Sequence, residues 1–203
     1  MDAFTRLEAI GIPYDPVSVD TDQIIPARFL KYSRAGGYDK YLFHDARFDE
    51  QGKERPDFIL NREPYRHGRI FVGNANFGSG SSREGAVYAL YDYGIRSVIA
   101  PSFGDIFFNN CMKNGMVPAR LPAAACDDLR AQLTRAPGAK VVVDLVARQV
   151  SAPDGTSWPF EIDDFRRDML LNGVDELGLT LQNLGEIERF ETAYRAEVPW
   201  LSR

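Results

Sequence analysis

The chain has 203 residues, of which 44% are hydrophobic and 26% charged, and a formal net charge of −5. That is the composition of a globular chain long enough to bury a real core. Its acidic balance disfavours non-specific attachment to nucleic acid or to an anionic membrane, and no apolar run is long enough to cross a bilayer.

Elements can be predicted in chain order. Residues 7–13 have strand character, and 17–19 read as another short strand closed by Asp20-Thr21-Asp22. That acidic pair suits a turn or a helix cap better than a cation site. Residues 24–30 predict a short helix with Pro26 early in its first turn. Residues 31–68 are rich in Gly, Tyr, Asp and Arg and have weak periodicity, which marks a functional insertion. From 69 the pattern sharpens. It gives a strand over 69–73, a helix over 82–93 stopped by Gly94, a buried β-branched strand over 97–100, a helix over 105–114 ended by Gly115, an extended segment over 116–121, and a helix over 123–134 with Leu129 and Leu133 on one face. Alternating strands and helices imply a parallel sheet with right-handed crossovers. Residues 140–146 and 156–161 flank Pro153-Asp154-Gly155 and predict an antiparallel hairpin. Short helices return over 164–195, where Leu184, Ile187, Phe190 and Tyr194 are spaced for core packing. Exposure of Trp200 and Leu201 beyond them would indicate docking to a partner. No internal repeat or low-complexity tract divides the chain, which reads as one domain over 1–203.

Cysteine and histidine usage limits the chemistry. The two cysteines, Cys111 and Cys126, form no C-x-x-C pair and are too few to hold zinc or an iron–sulfur cluster. Buried thiols are expected, not a disulfide. The two histidines, His44 and His67, exclude a His-rich metal site. The opening Met1-Asp2-Ala3-Phe4-Thr5-Arg6 has neither the basic nor the apolar region of a signal peptide, so a cytoplasmic protein is expected.

The most informative stretch is Asn76-Phe77-Gly78-Ser79-Gly80-Ser81-Ser82-Arg83-Glu84-Gly85-Ala86. It leads from a buried strand through a glycine-serine turn into a helix N-terminus. Glycines let backbone N–H groups approach a ligand, the first helical turn carries unpaired donors and partial positive charge, and two hydroxyls and a guanidinium join them. The combination suits a small anion such as a carboxylate or phosphate. A purely structural reading exists as well: Ser81-x-x-Glu84 has the spacing of a capping box. A dinucleotide-binding turn is excluded because Gly78-x-Gly80-x-x-Arg83 has arginine where the third glycine should be, and a P-loop is excluded for want of Gly-Lys-Ser/Thr.

Four ordered motifs resemble the small-subunit family of 3-isopropylmalate dehydratases, the swivel domain of the aconitase superfamily made as a separate chain. They are Val19-Asp20-Thr21-Asp22-Gln23-Ile24-Ile25-Pro26, the 76–84 turn, Ile99-Ala100-Pro101-Ser102-Phe103-Gly104-Asp105 with the helix that follows it, and Leu171-Asn172-Gly173-Val174-Asp175 with Gly178-Leu179-Thr180-Leu181-Gln182. The resemblance runs from about residue 7 to 190. It implies an α/β fold of three layers, β/β/α, and activity only with a large subunit that carries a [4Fe–4S] cluster. It also implies a hydro-lyase reaction that converts 2-isopropylmalate to 3-isopropylmalate through isopropylmaleate, in leucine biosynthesis. By the same resemblance Ser81 is the base and Arg83 the catalytic arginine, with Ser82, Arg83, Gly80 and Asp22 around the substrate carboxylate. Asp22 is expected to orient Arg83 or a partner group, or else merely to cap. The 31–43 loop is expected to help recognise the substrate side chain, or to pack on the partner. No cofactor or metal is expected on this chain itself, and no nucleic-acid or membrane partner. Two positions depart from the family pattern: Ser79 replaces a common Cys and Gly85 a common His. A roomier site at Gly85 would suit another substituted malate, such as citramalate/citraconate or dimethylmalate. A non-catalytic scaffold or an RNA-binding role is the other alternative.

Overall fold

A computed structural model describes residues 1–198 and 200. Seven strands form one sheet in the order β4-β3-β2-β1-β5-β6-β7. They are β1 (Arg6–Pro13), β2 (Ile70–Val72), β3 (Ser97–Ala100), β4 (Val117–Arg120), β5 (Lys140–Asp144), β6 (Gln149–Ser151) and β7 (Ser157–Pro159). The helices are α1 (Thr21–Ile24), α2 (His44–Arg47), α3 (Glu84–Tyr93), α4 (Asp105–Lys113), α5 (Ala123–Arg135), α6 (Asp164–Asn172), α7 (Glu176–Leu181) and α8 (Leu184–Glu197).

β1 joins two halves of the sheet. It pairs in parallel with β2, and β2–β3 and β3–β4 continue in parallel, while β1–β5, β5–β6 and β6–β7 are antiparallel. Side chains alternate across the parallel half, as the pleat requires. Ile12, Phe71 and Val98 enter one core with Ala86, Val87 and Leu90 of α3 and Phe107 and Cys111 of α4. Ile70, Val72, Ile99 and Val117 enter the opposite core, where Val141, Val143 and Val150 of the antiparallel half meet them together with Leu129 and Leu133 of α5. The sheet therefore curls: its two halves are two β layers over a common core, and α3 and α4 form the helical layer. This is the β/β/α arrangement.

Several expectations need correction. Residues 17–19 form no strand: Ser18 has a positive φ of 53°, and the segment runs beside residues 75–79 through isolated hydrogen bonds. The helix expected over 24–30 is two shorter pieces, because α1 is capped by Asp20 in a reciprocal box with Gln23 and ends before Pro26, which opens a separate 3-10 turn over Ala27–Phe29. The hairpin at Pro153-Asp154-Gly155 joins β6 to β7, not β5 to β7; β6 intervenes and pairs with both. The 31–68 region is a chain of 3-10 turns (Arg34–Gly36, Asp39–Tyr41, Ile59–Asn61, Tyr65–His67) around α2. Each is too short to give a periodic signal. None of α8 is buried, so its apolar stripe does not pack into the core: Phe190 is 67% exposed and Tyr194 44%. Trp200 is exposed, and Leu201 lies outside the described residues.

Candidate functional site

The site forms where the chain leaves the C-terminal ends of β1, β2 and β3, the edge at which open parallel sheets present their loops. The β1–α1 segment and the β2–α3 segment run side by side from the sheet outwards. Tyr14 N–H donates to the Val72 carbonyl (2.9 Å), Asn74 Nδ2 to the Asp15 carbonyl (2.8 Å), and Ser18 N–H to the Ala75 carbonyl (2.8 Å). Further out the Val19 carbonyl accepts from Gly78 N–H (2.7 Å) and Ser79 N–H (3.1 Å), and Thr21 N–H donates to the Ser79 carbonyl (2.9 Å). Thr21, buried, closes the row by donating from Oγ1 to the Ser81 carbonyl (2.9 Å). The β3–α4 turn braces the other side: Ser102 Oγ accepts from Asn76 N–H (2.8 Å), and the Phe77 carbonyl accepts from Gly104 N–H (2.9 Å).

Two glycines make the turn possible. Gly78 (φ 72°) and Gly80 (φ 89°) both lie in the left-handed region that other residues avoid. Gly78 also sits so close to α4 that a β-carbon there would fall 2.1 Å from Phe107 Cγ.

Beyond Gly80, Ser81 and Ser82 are exposed, and among the described residues the amides of Gly80, Ser81 and Ser82 have no backbone acceptor. The capping box suggested by Ser81-x-x-Glu84 is not formed. α3 begins at Glu84, with Arg83 at its N-cap position and no side chain capping it, and Glu84 Oε1 instead accepts from Asn114 Nδ2 (2.9 Å). Among the described residues Ser81 is thus free of a capping duty and no side chain caps α3, although the Ala86 N–H of its first turn donates to the Arg83 carbonyl (3.1 Å).

Arg83 is the least exposed member of this group. Its side chain is 16% exposed and its guanidinium is paired with Asp22, whose Oδ1 also accepts from Ala27 N–H (3.2 Å). The structure therefore brings Asp22 onto Arg83 from 61 residues away, while the capping of α1 falls to Asp20. A guanidinium has five donors in a planar fork, so Asp22 fixes its orientation and leaves donors for a second carboxylate.

The 31–43 loop lies against α3. Arg34 pairs with Asp92 (2.8 Å) and its guanidinium stands 4.0 Å from the Tyr88 ring centre, and Tyr38 N–H donates to Asp92 Oδ2 (3.0 Å). Buried Arg47 grips the loop from below, donating to the carbonyls of Asp39 (3.2 Å) and Leu42 (3.3 Å). Gly85 does not open the site as its lack of a side chain suggested. It is buried, and the space beside it is filled by Leu30, whose Cδ2 would stand 2.5 Å from a β-carbon at that position. The first turn of α3 is thereby docked twice by the preceding segment, through Asp22 on Arg83 and Leu30 on Gly85.

The two cysteines do not fit an iron–sulfur cluster. Cys111 and Cys126 are buried in separate cores on opposite faces of the sheet, and among the described residues no group of three His, Cys, Asp or Glu is placed to hold an ion. Burial pushes the Cys111 thiol well up and the Cys126 thiol to about 11, so neither is a thiolate at neutral pH.

Thr21 and Ser102 are supports that sequence reasoning did not single out. Thr21 lies inside a quoted motif, yet its partner is the Ser81 carbonyl, and nothing local signals that.

Comparison with known proteins gives one consistent picture. Residues 1–124 match the family described as Aconitase C-terminal domain, and residues 127–164 match LeuD_N. Residues 177–203 match the C-terminal domain of the 3-isopropylmalate dehydratase small subunit. The chain is 50% identical over 200 residues to the 3-isopropylmalate dehydratase small subunit of Rhodospirillum centenum, covering 98% of each chain. It is 51% identical over 203 residues to that of Granulibacter bethesdensis, covering 100% of this chain and 97% of the relative. A crystal structure of 3-isopropylmalate dehydratase from Methanocaldococcus jannaschii shares the fold, with a TM-score of 0.66 at 24% identity over 91% of this chain and 99% of that one.

Proposed function

The chain belongs to the 3-isopropylmalate dehydratase small-subunit family, and from that premise we propose that its Ser81–Arg83 turn supplies the base and the carboxylate grip of the reaction. The protein is the small subunit of a hydro-lyase of leucine biosynthesis that works with a large subunit. Its substrate in this reading is 2-isopropylmalate, dehydrated to isopropylmaleate and rehydrated to 3-isopropylmalate. The [4Fe–4S] cluster of the reaction belongs on the large subunit, and no step assigned to this chain runs through it. In this reading residues 1–203 act as one swivel domain in the cytoplasm. No helix among the described residues is long and apolar enough to cross a membrane.

The observation that supports the reading is that one short stretch carries an exposed serine and, among the described residues, turn amides without a backbone acceptor, a helix N-terminus without a side-chain cap, and an arginine paired with Asp22. Removing a proton from carbon next to a carboxylate needs a strong base. A serine hydroxyl becomes one only if its alkoxide is stabilised, and backbone N–H groups, the helix terminus and a nearby guanidinium do that. Arg83 with Ser82 and the Gly80 amide holds a substrate carboxylate and fixes the carbon acid against Ser81. Ser81 and Ser82 are exposed in this chain alone, so the large subunit must close over them to exclude water.

The reading is tested by assembling the chain with the large subunit and following alkene absorbance with a panel of substituted malates and maleates. Turnover of isopropylmalate is expected. Turnover confined to citramalate/citraconate or dimethylmalate would overturn the substrate, and no turnover from an assembled, cluster-loaded complex would favour a scaffold.

A further inference from the structure

Arg130 lies on α5, away from the residues given chemical roles above, and nothing in the motifs marks it. Its side chain is only 8% exposed, an unusual place for an arginine. It reaches the base of the paired segments that carry the site. One guanidinium nitrogen donates to the Gly73 carbonyl (2.6 Å), Nε pairs with Asp15 (3.2 Å), and the remaining nitrogen pairs with Asp127 one helical turn away. Gly73 is the first residue after β2 and Asp15 follows β1 closely, so one side chain ties together the points at which both segments leave the sheet. The tie continues through Asn74, whose Nδ2 donates to the Asp15 carbonyl (2.8 Å). From there the row of hydrogen bonds described above runs outward to Thr21 and the Ser81 carbonyl. One segment delivers Asp22 and the other delivers Arg83.

We propose that Arg130 is a positioning residue: it fixes the relative register of the β1–α1 and β2–α3 segments, and through them the meeting of Asp22 with Arg83. The geometric part stands on its own, and its consequence for turnover rests on the reading of Ser81–Arg83 given above. The fork geometry is essential. A lysine keeps the charge but cannot serve the Gly73 carbonyl, Asp15 and Asp127 together from one planar group. Asp127 is largely exposed, and Asp15 even more so, so the pairs contribute mainly direction, and the buried bond to the Gly73 carbonyl is the anchor.

The test compares the full-length chain with Arg130→Lys and Arg130→Met by amide hydrogen exchange. Loss of a charge-assisted bond at the base should speed exchange at Ser18, Thr21, Gly78 and Ser79 about tenfold or more. Exchange in β3 and β4 should stay as in the parent chain. In the assembled enzyme, Arg130→Lys should lower kcat/KM about tenfold on the parent background and add little on an Asp22→Asn background, because both act through one pair. Unchanged exchange in the two segments, exchange that rises equally in β3 and β4, or an effect on kcat/KM fully additive with Asp22→Asn would each overturn the proposal. Arg130→Lys keeps the stem and charge and so covers the case in which Arg130→Met fails to fold. If Ser81→Ala retains turnover, the catalytic reading falls by itself, and the exchange comparison still decides whether Arg130 sets the register.

Discussion

Replacing Gly78 by alanine tests how tightly the site turn is pressed against the helical layer. At φ 72° the backbone lies where an L side chain is strained, and the new β-carbon would stand 2.1 Å from Phe107 Cγ, 2.4 Å from Cδ1 and 2.6 Å from Cβ. Those atoms are the root of the ring, not a mobile tip. The ring is 2% exposed and packs against Phe77 and Phe103, so it has nowhere to swing. Left-handed backbone costs roughly 1–2 kcal/mol and overpacking about 1–3 kcal/mol, so the substitution should cost about 2–5 kcal/mol. For a chain of this length each kcal/mol lowers Tm by about 2–4 °C. Gly155 supplies the control. It too has a positive φ, 90°, but nothing lies within 4 Å of a β-carbon there. Gly155→Ala should therefore cost only the backbone share, about 1–2 kcal/mol. Calorimetric melting of the two variants beside the parent chain reads the difference directly. If Gly78→Ala melts no lower than Gly155→Ala, the turn is not seated on Phe107 and the reasoning is wrong.

Other consequences follow from the same geometry. Arg83→Lys keeps a charge but loses the fork shared between Asp22 and substrate, so kcat/KM of the assembled enzyme should fall by about 1.5–3 kcal/mol of transition-state binding, or roughly 10–150-fold; steady-state kinetics showing a change under about threefold would contradict the role. Thiol-specific alkylation at neutral pH should leave Cys111 and Cys126 unmodified in the native chain and label both after denaturation, since burial holds each as a thiol. A hydrogen bond from Arg28, foremost, holds Asp45 below the ordinary carboxylate value of 3.8. The depressed folded value means that the contribution exists above 3.8 and is lost as pH falls through the folded value. Because the pair is largely exposed, Asp45→Asn should cost at most about 1 kcal/mol at neutral pH and nothing in strong acid. Thermal melts giving the same deficit at both ends would contradict that sign.

Much of the fold is legible in the sequence because its strands and helices announce themselves locally. Ile70-Phe71-Val72 and Ser97-Val98-Ile99-Ala100 are buried on both faces, and continuous apolar runs between turn residues are what such strands look like. β6 escapes because only Val150 of Gln149-Val150-Ser151 points inward, so the strand carries almost no hydrophobic pattern. The expected strand at 17–19 fails for the opposite reason. Its two valines look β-like, but the segment's partners, at 75–79, impose isolated bonds and a positive φ at Ser18. The candidate site divides the same way. Gly78, Gly80, Ser81, Ser82 and Arg83 lie within one short stretch, so their shared chemistry can be read directly. Thr21 and Arg130 reach partners 60 and 57 residues away, and only the folded chain reveals them. Gly85 teaches a further lesson. A missing side chain suggests space, yet the fold has placed Leu30 in it.

The most direct test of the central claim is Ser81→Ala in the assembled enzyme, with isopropylmalate turnover and the melting temperature of the small subunit measured side by side. Ser81 is exposed and caps no helix among the described residues, so stability should change by less than about 0.5 kcal/mol. Loss of the base should lower kcat by at least about a hundredfold. Turnover lost at an unchanged melting temperature is the predicted result; turnover retained by a complex of native stability would contradict the assignment of Ser81 as the base.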